Sequence, residues 1–155
     1  MPPDREARLQ ELGLELPAVP QPAGSYVPAT RAGNLIFTAG QLPLEAGEVR
    51  TTGKVGDAVP EEEAYRAARL CALNAIAAAA AEAGGLNRIR RIIKVTGFVA
   101  SAPGFNAQPQ VINGASELIG EVFGEAGLHA RSAVGVAELP LDAPVEVELV
   151  AELEA

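Results

Sequence analysis

The sequence predicts an α+β fold in which two helices pack on one face of a β-sheet. Two segments, 60–83 and 109–123, have apolar residues at helical spacing. Segments rich in β-branched and aromatic residues lie before, between and after them. The predicted order is ββ(β)αβαββ, without repeats or a long linker. A chain of 155 residues with 48% hydrophobic content is sufficient for one buried core.

The N-terminal part is predicted to be an extension, residues 1–23, that precedes the main domain, residues 24–155. A short helix over residues 4–12 carries charges on most of its faces. Prolines at positions 17, 20 and 22 then favour an extended connector. We expect this extension to lie on the main body.

Short strands are predicted before the first long helix. Residues 26–27 and 35–38 are expected to form a hairpin joined by the turn-rich link 31–34. A third strand is predicted at a sheet edge over residues 49–52.

The clearest helix is predicted over residues 60–83. Pro60 suits a first-turn position, and three glutamates follow it at the positive end of the helix dipole. Gly84 and Gly85 provide a C-terminal stop. Cys71 lies within the apolar part of this helix and is expected to be a core residue.

The second half of the chain supplies the remaining elements. A strand over residues 90–101 precedes the helix over 109–123, and strands over 130–136 and 145–153 follow it. Two helices cover only one face of a sheet, so we expect subunit association to cover the other face.

Composition argues against several classes of function. The formal net charge of −8 argues against a nucleic-acid partner, which would require clustered Lys and Arg. One histidine and one cysteine leave no zinc site that needs two such ligands, and no phosphate-binding glycine motif is present. We therefore expect neither a metal nor a cofactor. The longest apolar stretch is short for a membrane span and the N-terminus has no signal-peptide pattern, which favours a cytoplasmic protein.

The strand over residues 130–136 carries a first candidate site. Alternate residues face opposite sides of a strand, so Arg131 shares a face with the small residues Ala133 and Gly135. The opposite face, which includes Val134, is expected to face the core. An arginine beside small residues has room to bind a carboxylate through its planar guanidinium. A structural salt bridge to a nearby glutamate is the alternative.

The strand over residues 145–153 carries a second candidate site. Glu146 and Glu148 alternate with valines and are less exposed by position than the terminal glutamates. A carboxylate near an apolar wall can have a raised pKa and serve as an acid or a base. Either glutamate fits this role. His129 and Ser132 are three residues apart and no Gly-x-Ser-x-Gly motif occurs, which argues against a serine hydrolase.

The beginning and the end of the main domain contain motifs of a known family. GSYVP at 24–28 is followed by GNLIFTAGQLP at 33–43. Near the C-terminus, ARS at 130–132 is followed by VAELP at 136–140 and VEVE at 145–148. With these residues, nearly all of the main domain resembles the Rid family, also known as YjgF or endoribonuclease L-PSP-like.

The resemblance implies a chorismate-mutase-like fold that assembles as a homotrimer, with a ligand cleft at each subunit interface. Members of the family hydrolyse reactive enamines and imines, such as 2-aminoacrylate, to a 2-keto acid and ammonia. Matched residue by residue, Arg131 would bind the substrate carboxylate and Glu146 would activate the attacking water. Tyr26 and Asn113 would line the cleft.

Two positions depart from the family pattern. Ala39 replaces the usual serine, and Ala133 replaces a cysteine that is often present. Both are expected to line the cleft and to make it larger and less polar. The expected function is hydrolysis of small imines, with a non-catalytic trimer that binds small carboxylates or keto acids as the alternative. An endoribonuclease or translation inhibitor is the weakest interpretation, because the chain is acidic and has no basic stripe.

Overall fold

The structure, a computed structural model, describes residues 3–19, 21–22 and 24–155, and these form an α+β fold. Pro20 of the predicted connector lies outside the described residues. The elements in chain order are α1 (Arg5–Glu11), β1 (Ala29–Ala32), β2 (Leu35–Thr38), β3 (Leu44–Glu45), β4 (Glu48–Val49), α2 (Glu61–Ala83), β5 (Ile89–Ala100), α3 (Gln108–Phe123), β6 (Ala130–Val136) and β7 (Val145–Leu153). The predicted order of the long helices and strands is confirmed.

The main sheet has five strands in the order β1-β2-β7-β5-β6. Strands β5 and β6 pair in parallel, with α3 as the connection between them, and the other neighbours pair antiparallel. Strands β3 and β4 form a separate small hairpin. The predicted edge strand over residues 49–52 is therefore wrong, because the chain turns back on itself after Leu44–Glu45 instead of joining the main sheet.

Helices α2 and α3 pack together on one face of the sheet. The alanines of α2 form a smooth buried surface, and Cys71 is fully buried among them, which confirms it as a core residue. The two backbones approach so closely that a Cβ on Gly114 would overlap the carbonyl of Tyr65. Helix α2 ends at Ala83, and Gly84 follows it with a φ of +87°, in the left-handed region that glycine adopts without strain.

The N-terminal hairpin differs from the expectation. Its first strand is Ala29–Ala32, so the prediction of a strand at Tyr26–Val27 is wrong. The pairing of Ala32 with Leu35 leaves Gly33 and Asn34 as a two-residue turn, with Gly33 at φ +60°. Because the turn contains only two residues, Arg31 and Ala32 belong to β1 and not to the predicted link. Tyr26 lies in the segment before β1.

Strand β6 faces the opposite way from the expectation. Arg131 and Gly135 pair with Val95 and Val99 of β5, both of which are fully buried beneath the helices. The Arg131 side of β6 therefore faces α3. The predicted core face is wrong, because Ala130, Ser132 and Val134 are exposed and Val134 retains 43% of its accessible surface. The orientation of β6 follows from its register with β5, and this register cannot be read from the residues of β6 alone.

The helix α1 lies against the main body. Leu9 is buried and belongs to the main hydrophobic core. Arg5 is also buried, where its Nη2 donates to Arg90 O at 2.9 Å and its guanidinium lies 5.0 Å from the centre of the Phe123 ring. The predicted boundary at residue 23 stays a prediction. Within the described part of the chain, none of the helices combines the length and apolar character of a membrane span.

The second face of the sheet has no helix on it among the described residues. Its cross-strand row contains Val134, Phe98 and Glu146, which pair across β6, β5 and β7. Phe37 on β2 is also exposed, at 41% of its accessible surface. This row of the open face thus combines apolar side chains with the carboxylate of Glu146.

Candidate active site

Strand β7 places a glutamate on the open face of the sheet. Its odd-numbered residues from Val145 to Leu153 are buried against the helices, and the residues between them point the other way. Because the side chains alternate, Glu146 and Glu148 both lie on the open face. The sequence pattern predicted this alternation correctly.

A cavity of about 750 Å³ lies beside Glu146. Its other lining residues come from the segment before β1 and from β1, β2 and the residues that follow β2: Tyr26, Val27, Thr30, Phe37, Thr38, Ala39 and Gly40. Three of the residues predicted for the site, Tyr26, Ala39 and Glu146, therefore lie together. Glu148 is not among the lining residues, so the cavity agrees with the role that the resemblance gives to Glu146.

The Glu146 carboxyl has an environment suited to proton transfer. Burial raises the pKa of Glu146 above the ordinary value of 4.5, and the nearby charge of Glu148 raises it further. Gly40 leaves room for this side chain, since a Cβ there would lie 2.6 Å from Glu146 Oε1. A carboxyl whose pKa is shifted towards neutrality can both accept and return a proton.

Arg131 lies on the other side of the sheet, against α3. Its Nη1 donates to Asn113 Oδ1 at 2.8 Å and to Ser116 Oγ at 3.2 Å, and its Nη2 donates to Pro109 O at 3.3 Å. All three acceptors are neutral, so they orient the guanidinium without neutralising its charge. Arg131 and Asn113, which the resemblance assigns to the same cleft, are thus in direct contact, whereas the salt bridge considered as an alternative is not among these bonds.

The small residues beside Arg131 do not form the open floor that their size suggested. A Cβ on Gly135 would lie 2.8 Å from Gln108 Nε2 and 3.0 Å from Ser101 Oγ, so this space is already occupied. Ala133 is half-buried and packs against the hydrophobic core. The expected room beside Arg131 is therefore absent over Gly135, because the side chains of Gln108 and Ser101 lie there.

Two further polar residues, Ser116 and His129, form a hydrogen-bonded chain to Arg131 that was not predicted from the sequence. Ser116 Oγ lies 2.9 Å from His129 Nε2, and His129 Nδ1 lies 2.6 Å from Gly127 O. His129 precedes Arg131 by two residues, just before β6 begins, and both side chains contact Ser116, so they lie on one side of the chain. The two-residue spacing of His129 and Arg131 was visible in the sequence. It indicates a shared site only when α3 is known to pack on that side.

The predicted site residues thus fall into two groups. Tyr26, Ala39 and Glu146 surround the cavity on the open face, whereas Asn113 and Arg131 lie on the helix side. Strand β5 separates β6 from β7. Within one chain, the guanidinium and the raised-pKa carboxyl do not converge on one cavity. Over the described residues, no cluster of three His, Cys, Asp or Glu side chains is arranged to hold a metal ion.

A comparison with protein families places this fold among known sequences. The profile described as "YjgF/chorismate mutase-like, putative endoribonuclease" matches residues 6–153. The chain belongs to the YjgF/chorismate mutase-like family. This confirms the resemblance read from the motifs at 24–43 and 130–148, and the match also includes most of α1.

Individual members of the family support the same assignment. Protein TCP17 of Trypanosoma cruzi is 45% identical over 148 residues, which cover 95% of this chain and 92% of that protein. The 2-iminobutanoate/2-iminopropanoate deaminase of Escherichia coli is 34% identical over 134 residues, with 85% and 90% covered. The crystal structure of the protein Atu1372 from Agrobacterium tumefaciens, described as of unknown function, superposes with a TM-score of 0.88 at 51% identity, with 97% and 94% covered.

Proposed function

We propose that this protein hydrolyses small 2-imino acids and their enamine tautomers to 2-keto acids and ammonia. The observation that carries the proposal is the pair of half-sites: a guanidinium oriented by neutral acceptors and a half-buried carboxyl with a raised pKa. The first suits a carboxylate ligand and the second suits proton transfer to and from water. Relatives in Escherichia coli and Dermatophagoides farinae that carry the deaminase name, at 34% and 30% identity, support the same chemistry.

The two half-sites would be joined by a second copy of the chain. Because Arg131 and Glu146 lie on opposite faces of one sheet, a complete site requires Arg131 of one copy beside the cavity of the next. The exposed apolar residues Phe37 and Val134 give the open face a reason to associate, since burying them removes apolar surface from water. We propose a homotrimer with one such site at each interface.

The proposed reaction needs only these groups and a water molecule. Arg131 binds the carboxylate of the substrate, which places the adjacent imine carbon near Glu146. The carboxylate of Glu146 takes a proton from water while the water oxygen bonds to that carbon, forming a carbinolamine. Glu146 returns that proton to the nitrogen, which completes the neutral carbinolamine. The carboxylate then takes the proton of the carbinolamine hydroxyl and passes it to the nitrogen as the C–N bond breaks and the C=O bond forms. Ammonia and the 2-keto acid leave, and Glu146 is again ionised. Atoms and charge balance without a metal or a redox partner.

The catalytic test generates the imine in place. A serine dehydratase releases 2-aminoacrylate, and the appearance of pyruvate is followed with and without this protein. We expect acceleration by the unaltered chain and none by Arg131→Ala or Glu146→Gln. The absence of acceleration with several small imines would contradict the catalytic proposal.

A non-catalytic binder of small carboxylates is the second candidate. Ala39 in the cavity wall supports it, because an apolar side chain there offers no hydrogen bond to a reacting group. This candidate predicts calorimetric binding of 2-oxobutyrate that Arg131→Ala removes, with no turnover of any imine.

The proposed assembly is tested by sedimentation equilibrium. A trimer of the 15.9 kDa chain has a mass of about 48 kDa, and Val134→Glu on the open face is expected to shift it towards the monomer. An unaltered protein that sediments as a monomer would exclude the shared site. An exposed-surface control such as Glu62→Lys, far from this face on the first turn of α2, is expected to leave the mass unchanged.

A further inference from the structure

A hydrogen-bonded chain runs from the backbone through two side chains to Arg131. His129 Nδ1 lies 2.6 Å from Gly127 O, and His129 Nε2 lies 2.9 Å from Ser116 Oγ. Arg131 Nη1 then donates to the same Ser116 oxygen at 3.2 Å, beside its bond to Asn113 at 2.8 Å. Each link is within hydrogen-bond distance.

The chemistry of the groups sets the direction of this chain. The carbonyl of Gly127 can only accept, so the short contact requires a proton on His129 Nδ1. In the neutral ring Nε2 then carries no proton and accepts from the Ser116 hydroxyl. With its one hydrogen directed at His129, the Ser116 oxygen presents a lone pair to Arg131.

The local structure explains why these groups meet. Asn113 and Ser116 are three residues apart on α3 and therefore lie on one side of the helix. His129 immediately precedes β6 and lies two residues before Arg131, and both side chains reach Ser116 on the same side. Ser116 and His129 are both half-buried, which limits competition from water for these bonds.

We propose that His129 and Ser116 are positioning residues that hold the guanidinium of Arg131 ready for the carboxylate of the substrate. This rests on the proposed function, because it requires Arg131 to bind a carboxylate. Ser116 supplies one of the two side-chain acceptors of Nη1, and His129 keeps the Ser116 hydroxyl from turning its hydrogen towards the arginine. A guanidinium held in this way loses less conformational freedom when it binds.

Carboxylate binding tests the role of each residue. Calorimetry with 2-oxobutyrate compares the unaltered protein with Ser116→Ala and His129→Leu, which remove the bonds. Ser116→Thr keeps the hydroxyl, and His129→Gln keeps an acceptor near the position of Nε2. We expect the first pair to raise the Kd about tenfold, the change produced by one hydrogen bond to a charged group, and the second pair to retain most of the affinity. In the imine assay, KM is expected to rise more than kcat falls.

The tautomer of His129 provides an independent measurement. His129 is the single histidine of the chain, so its ring nitrogens are observed without overlap in ¹⁵N-correlated NMR spectra. In the neutral form of the ring we expect the proton on Nδ1 and none on Nε2. A proton on Nε2 in the neutral ring would overturn the direction of the chain and the role of His129 in it. This measurement uses the unaltered protein, so it does not depend on the folding of a variant.

The outcomes separate this inference from the proposed function. If Arg131→Ala abolishes binding while Ser116→Ala and His129→Leu bind as the unaltered protein does, the positioning role is wrong and the proposed function stands. If the unaltered protein and Arg131→Ala both fail to bind the keto acid, the carboxylate role of Arg131 is wrong and the inference is overturned with it. Weaker binding by Ser116→Ala and His129→Leu, with affinity retained by the variants that keep the hydroxyl or the acceptor, supports both the positioning role and the carboxylate role of Arg131.

Discussion

The clearance between Gly40 and Glu146 leads to a test of the proposed base. A Cβ at position 40 would lie 2.6 Å from Glu146 Oε1, whereas ordinary van der Waals contact begins at 3.4 Å. Gly40→Ala therefore requires the carboxylate to move by about 0.8 Å. Gly40 does not have a left-handed φ, so alanine is compatible with its backbone. Displacements near 1 Å can cost a reaction up to roughly a hundredfold, so we expect kcat/KM to fall by about ten- to a hundredfold.

The assay combines imine hydrolysis with chemical denaturation and carboxylate binding. The free energy of unfolding is expected to change by less than about 1 kcal/mol, because the obstacle is the mobile end of a side chain and alanine reduces the entropy of the unfolded chain. Binding of 2-oxobutyrate through Arg131 should change little. Gly120→Ala is the matched control, since nothing lies within 4 Å of its added methyl. Full activity in Gly40→Ala, alongside inactivity in Arg131→Ala, would refute the assignment of Glu146 as the base.

Three further expectations concern charge and packing. Arg131→Lys keeps the charge but loses the planar fork, so calorimetry should give a Kd for 2-oxobutyrate at least about tenfold higher; unchanged affinity would show that charge alone suffices. The pKa of Glu146 is raised above 4.5 in the folded state, so the stability it contributes is present below pH 4.5 and is lost as the pH rises through the folded pKa. Glu146→Gln should therefore unfold at a higher temperature than the unaltered chain at neutral pH, and this difference in unfolding temperature should vanish below pH 4.5. A difference that is the same at both pH values would contradict its origin in the raised pKa of Glu146. Gly114→Ala drives a methyl into the carbonyl of Tyr65 and should lower the free energy of unfolding by about 1–3 kcal/mol or more, whereas Gly120→Ala should not; equal stability of the two variants would mean that the helices do not approach as closely as described.

Much of the fold follows from local patterns. The bounds of β6 and β7 agree with the strands predicted at 130–136 and 145–153, and α2 begins one residue later than predicted. These elements have strong periodicity and clear ends, such as the left-handed Gly84. Predictions failed where pairing partners decide the structure. The strand at 26–27 moved to Ala29–Ala32 because the turn at Gly33 sets the hairpin register.

The candidate site was also predictable in part from local patterns and in part only from the tertiary structure. The alternation of β7 alone placed Glu146 on a face with other polar residues. The raised pKa of its carboxyl comes from burial on that face and from the charge of Glu148, whereas the flanking valines point to the other face. The strand pattern alone left Glu146 and Glu148 equivalent, and the resemblance assigned the role to Glu146. The cavity that agrees with this assignment includes the segment around Tyr26 and Gly40, which is remote in sequence and adjacent in space. A cavity is built by chain segments that meet only after folding, so no local pattern records it.

The sequence by itself determined the family, the α+β class and the two chemical groups, because motifs, hydrophobic periodicity and residue chemistry are local properties of the chain. Only the tertiary structure decided which side of the sheet each group occupies. Arg131 turns towards α3 because β6 pairs in register with the buried valines of β5, and Glu146 turns away because β7 directs its own valines inwards. Register depends on contacts between distant segments, and it separates the guanidinium from the carboxyl by the thickness of the sheet.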